Sequence, residues 1–142
     1  MAGAERAPEP RRRVLRRALG IIVCGLPVLL AVACALWPRA VPAPREATGW
    51  ALVTLPVLIA GLNLYLAYLR PWRHRRQGGS PTDLRHVSGL PLVGTLFAVG
   101  ACIAAFGSAT VGGLALVATL ADPDGVPWIP IRTWHDASLW DA

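Results

Sequence analysis

Charge-free apolar runs alternate with arginine-bearing or proline-rich segments along this chain. Ala18–Trp37 is a first run of 20 residues without a charge, and Trp50–Leu69 is a second of the same length. Each matches the roughly 20 residues that a helix needs to cross a hydrocarbon core of about 30 Å. A third stretch, residues 86–121, carries no Asp, Glu, Lys or Arg over 36 residues. As one straight helix it would be about 54 Å long, too much for a single crossing. Gly107-Ser108 offers a natural division into residues 89–106 and 109–121. The second piece gives only about 20 Å of helix, so it needs local thinning of the bilayer or cover from its neighbours. The expected fold is therefore all-α: a small polytopic membrane protein with four transmembrane helices, the last two a tight hairpin and the fourth short. The rival topology has one tilted helix ending near Gly112 and leaves the C-terminus outside.

The flanks fit the four-span pattern. Residues 1–17 are rich in Pro and Arg without apolar periodicity and read as a flexible cytoplasmic tail. Residues 38–49, with Pro38, Pro42 and Pro44, read as a short outside loop, and residues 70–88, with five arginines and a Gly78-Gly79-Ser80-Pro81 break, as an inside loop. Residues 18–131 form the helical domain. Residues 132–142 form a short tail, with Trp128, Trp134 and Trp140 marking an interfacial segment and DASLW offering one turn capped by Asp136. Trp37 and Trp50 stand at one level, and Tyr65, Tyr68 and Trp72 at the other. Pro27 and Pro56 interrupt the first two spans, as membrane helices tolerate. The first run also has the three regions of a signal peptide, but its length and the further spans favour an uncleaved anchor.

Composition reinforces this pattern. The chain has 142 residues, is 54% hydrophobic and only 15% charged, and all 14 of its cationic side chains are Arg. A net charge of +6 suggests nucleic acid for a soluble protein. Here the arginines cluster at Arg6–Arg17 and Arg70–Arg85, each beside an apolar run, as cytoplasmic flanks do. The expected location is the bacterial inner membrane, with the N-terminus and C-terminus both cytoplasmic. The bilayer is the expected surrounding partner, a membrane protein or a second copy the possible protein partner, and no nucleic acid is expected. Cys24, Cys34 and Cys102 lie in apolar runs with no metal spacing.

Candidate chemistry is sparse. Asn63 is the only strongly polar side chain in the first two spans, suited to packing between helices or to lining a path. No Asp, Glu, Arg, Lys or His falls within the four spans, which disfavours proton-coupled carriers and sets the chain apart from the small multidrug resistance transporters of similar size. Gly100, Ala104 and Ser108 recur at four-residue spacing, as do Ala105, Ala109 and Gly113, and form faces on which helices can approach closely. Asp122 and Asp124 end the last apolar run in a Pro-Gly turn. In the four-span topology they share an aqueous side with Arg85 and could pair with it. His135-Asp136 has no nucleophile or third ligand at useful spacing, so neither catalysis nor a metal or cofactor is expected.

SGLPLVG (Ser88–Gly94), a fold-back, and then ADPDGVPW (Ala121–Trp128) resemble a loose set of small bacterial integral membrane proteins. These pair an S-x-[IL]-P-L-[VIL]-G opening with an acidic, Gly-containing exit, and some look like immunity partners of toxins. The likeness covers about the last third of the chain, and Gly94-Thr95 stands where such proteins have Gly-Gly. It implies a family-like hairpin and no functional residues. The expected function is non-enzymatic: action through protein contacts in the membrane, as an immunity protein or accessory subunit. The alternative is an oligomeric channel or passive carrier.

Overall fold

The computed structural model describes residues 10–78, 91–123 and 125–136. Every regular element among them is helical: α1 (Pro10–Leu36), α2 (Ala43–Leu64), α3 (Arg70–Arg76), α4 (Pro91–Ala104), α5 (Ala109–Ala121) and α6 (Ile129–Thr133). A π-helical turn, Tyr65–Leu69, joins α2 to α3 without a break. Its cause lies in the sequence. Pro71 has no N–H for the carbonyl four residues before it, and Arg70 N–H donates five residues back, to Tyr65 O. Two helices, Val14–Leu36 and the continuous Ala43–Arg76 rod, are long and apolar enough to cross a membrane. Leu92–Ala104 and Ala109–Ala121 are shorter apolar helices.

Three boundaries differ from the sequence reading. Residues 10–17, read as a flexible tail, are the first turns of α1. Residues 43–49, read as loop, already belong to α2, where Pro44 sits at the helix start without needing its missing N–H and Glu46 faces the positive end of the dipole. The helix also runs on through Arg70–Arg76, into what reads as an inside loop. The expected turn capped by Asp136 reaches into residues outside those described.

The helices run up, down, up and down. Leu52 of α2 lies beside Gly100 of α4, and Ile59 beside Gly94, so the two helices are antiparallel. A Cβ built on Gly49 would overlap Ala105, and one on Gly112 of α5 would lie 2.5 Å from Ala35 N of α1. The backbones therefore meet at these two glycines with no room for a side chain. The core matches this close approach: Ala31, Cys34, Val53, Ala98, Ala101, Cys102, Ala105, Val111 and Ala115 fill it, all small. The Cys34 thiol points to Ala105 O at 3.5 Å and Ser108 O at 3.7 Å.

The α4–α5 hairpin turns at Gly107, whose φ of 101° favours glycine. Arg39 N–H donates to Gly107 O at 3.0 Å, tying this turn to the α1–α2 loop. Arg45 Nε donates to Ala104 O at 3.1 Å and its Nη2 to Ile103 O at 3.4 Å, satisfying carbonyls at the end of α4 that have no helical partner. At the opposite end of the bundle the chain after α5 descends along α1, and the Arg17 guanidinium stacks 5.1 Å from the centre of the Trp134 ring.

Candidate functional site: a buried amide and carboxylate

Two polar side chains that are far apart in sequence meet inside this apolar bundle. Asn63 Nδ2, on α2, donates to Asp122 Oδ1, at the end of α5, at 2.9 Å. Asn63 is 5% exposed and Asp122 is 4% exposed. Buried polar groups are strongly destabilising unless bonded, so this contact fixes where the end of α5 lies against α2.

The backbone that presents Asp122 follows from Pro123. The residue before a proline is pushed out of the α region, and Asp122 takes φ −75° and ψ 105°, which stops α5 at Ala121. Its N–H still donates to Ala118 O at 3.1 Å, and its carbonyl accepts from Gly125 N–H at 3.0 Å. Trp128 closes the turn, its indole Nε1 donating to Leu120 O at 3.2 Å. The carboxylate lies beside α4 as well, since a Cβ on Gly94 would be 3.9 Å from Asp122 Oδ2. Gly94 ends the SGLPLVG segment and Asp122 opens the DPDG turn, so these two stretches approach each other here. Thr95 and Thr119 are buried nearby in sequence, and Thr119 Oγ1 returns its proton to Ala115 O at 2.7 Å.

The structure distributes the other sequence-derived sites differently. Ser108 is buried, with its hydroxyl 3.5 Å from Glu46 Oε1, and Gly100 lies against Leu52, so this part of the Gly100, Ala104, Ser108 face is taken up by packing within the chain. Arg85 and Asp124 lie outside the described residues. Asp122 is buried and bonded to Asn63, and its expected pairing with Arg85 lies outside the described residues. Two signals for this pairing stand in the sequence: Asn63 is the lone amide of its span, and α5 is too short to carry Asp122 clear of the bundle. Among the described residues no group of three or more His, Cys, Asp or Glu could hold a metal.

No protein-family model, curated protein or solved structure matches this chain.

Proposed function

We propose that this chain is a small bacterial inner-membrane protein with four crossing helices and both ends in the cytoplasm, acting through contacts with another membrane protein as an immunity protein or accessory subunit. One observation carries the reading: the bundle is built with its small side chains inward and its large apolar ones outward. The buried core is Ala, Cys and Val, while Leu19, Ile22, Leu29, Leu58, Leu62, Leu92, Leu96, Ile103 and Val117 are each 57–64% exposed and spread over all four long helices. A soluble bundle would bury those side chains against one another. In hydrocarbon they need no cover, and small residues let the helices approach closely.

Depth follows from the helix register. Ala35 lies beside Gly112, and Asp122 is ten residues further along, about 15 Å nearer the arginine end. On this placement Asp122 sits inside the hydrocarbon, some distance above Arg17. The exclusion of acidic groups from the spans, drawn from the sequence, does not extend to it. Asn63 donates to Asp122 inside the core, which favours the packing role over the path-lining one that the channel alternative assigns to it. Recognition then falls to the outer surface.

Two measurements test the reading. Alkaline phosphatase and green fluorescent protein are each fused after Ala142, with fluorescence and no phosphatase activity expected; the reverse overturns the four-span topology. A photo-crosslinking residue at Leu62 or Leu96 is expected to give a discrete protein adduct in native membranes, and lipid adducts alone would refute the contact function. Neutralisation of a toxin encoded next to the gene separates immunity from subunit.

A further inference from the structure

Among the described residues, α6 and the turn before it leave a gap along α1. Ile21, Cys24 and Gly25, on one face of α1, stand across from Pro130, Ile131 and Trp134, leaving an open, almost wholly apolar groove of about 520 Å³. Arg17 stands at its arginine-side mouth with its guanidinium over Trp134. Arg16 precedes it and is exposed. The groove thus pairs an apolar slot with two arginines at its mouth, where α1 leaves the apolar zone.

We propose that this groove binds a single anionic phospholipid of the cytoplasmic leaflet, with one acyl chain between α1 and α6 and its phosphate at Arg16 and Arg17. The proposal rests on the cytoplasmic placement of both ends given above. Charge selects this occupant. An acyl chain asks only for an apolar slot, and its headgroup for the cations at the mouth. Arginines clustered at the cytoplasmic end of a helix attract anionic headgroups, and pockets between helices on that side hold them. Trp134 suits the boundary, since a tryptophan combines an apolar ring with a polar N–H.

The experiment uses the full-length chain in mild detergent, exposed to equimolar phosphatidylglycerol and phosphatidylcholine and read by native mass spectrometry. One retained phosphatidylglycerol per chain is expected, roughly fivefold or more in excess over phosphatidylcholine, since each arginine near an anionic headgroup contributes about that factor. Arg17→Gln should cut the excess by a similar factor while leaving phosphatidylcholine retention unchanged. Gly25→Leu should remove both lipids, because a side chain at Gly25 meets nothing within 4 Å and fills the slot without disturbing the packing. Equal retention of the two lipids, or undiminished retention by Gly25→Leu, overturns the proposal. So does an efficient Cys24-to-Cys24 cross-link in oxidised membranes, which would place a second copy in the groove. The fusions after Ala142 report sidedness separately, so an external C-terminus is distinguishable from a groove that binds no lipid.

Discussion

The contact between Asn63 and Asp122 carries the sharpest energetic expectation, because its two ends can be removed singly or together. Asn63→Leu keeps the volume of the side chain roughly constant and deletes the amide that donates to Asp122 Oδ1 across 2.9 Å. Both side chains are about 95% shielded, so water cannot replace the bond without opening the bundle. In water-soluble proteins a hydrogen bond to a charged group contributes about 1.5–3 kcal/mol. Between membrane helices the measured average is about 0.6 kcal/mol with a maximum near 1.7, because the unfolded chain in the membrane also finds partners. Good distance and deep burial put this pair toward the upper end of the membrane range, and each single substitution, Asn63→Leu or Asp122→Leu, should cost about 1–2 kcal/mol. The double substitution should recover much of that loss, since two apolar side chains of matching shape leave nothing unsatisfied at this contact. The assay is reversible unfolding in mixed micelles against the mole fraction of sodium dodecyl sulfate, followed by circular dichroism for all four proteins. A coupling energy within the about 0.5 kcal/mol scatter of independent sites would refute the pairing as an energetic contact.

Three further outcomes follow from the packing. Gly112→Ala drives a Cβ to within 2.5 Å of Ala35 N and should destabilise by roughly 1–3 kcal/mol, as overpacking does, whereas Gly113→Ala, with nothing within 4 Å, should stabilise by up to about 1 kcal/mol through helix propensity. The same unfolding titration reads both, and equal effects at the two glycines would contradict the α1–α5 contact. Gly107→Ala places a side chain at φ 101° and 2.8 Å from Arg39 Cβ, and should cost about 1–2 kcal/mol by the same titration. A membrane-permeant maleimide should reach Cys34 and Cys102, 0% and 1% exposed, only after unfolding. Mass spectrometry of the peptides reads the labelling site by site, and rapid native labelling of Cys34 would contradict the core.

The helical class and the hairpin turn were legible because they depend on local features. A residue with φ 101° at Gly107, flanked by apolar runs of unequal length, is visible as a glycine between two periodic stretches. The helix ends were less legible, and for specific reasons. Pro44 marks the start of α2 rather than a loop, since a proline costs nothing in the first turn, where its missing N–H has no helical acceptor to serve. The arginines of Arg70–Arg76 read as a loop by charge, but arginine is a good helix former and positive charge at a helix C-terminus complements the dipole, and the π turn before Pro71 lets the rod continue. The meeting of Asn63 and Asp122 was legible only in part: the lone amide and the short last helix point to a polar contact, but its partner depends on how far α5 slides along α2, a register set by the close backbone contacts at Gly49 and Gly112.

That register also explains why a short fourth helix suits this chain. A longer helix after Gly107 would carry its terminal carboxylate past the level of Asn63 and away from the amide. Thirteen residues from Ala109 bring the chain only to the level of Asn63, and Asp122-Pro123 stops the helix there, with the side chain turned into the bundle. The remaining descent is made by a 3₁₀ turn, Val126–Trp128, and by α6, elements that leave a slot along α1 instead of sealing it. The buried carboxylate and the open groove are thus two results of one sequence choice. Inserting one helical turn, four alanines after Val117, should therefore break the Asn63 contact and displace Trp134 from Arg17 together. The expected readout is loss of coupling in the Asn63→Leu cycle accompanied by loss of retained phosphatidylglycerol. Loss of one without the other would show that the two features are set independently.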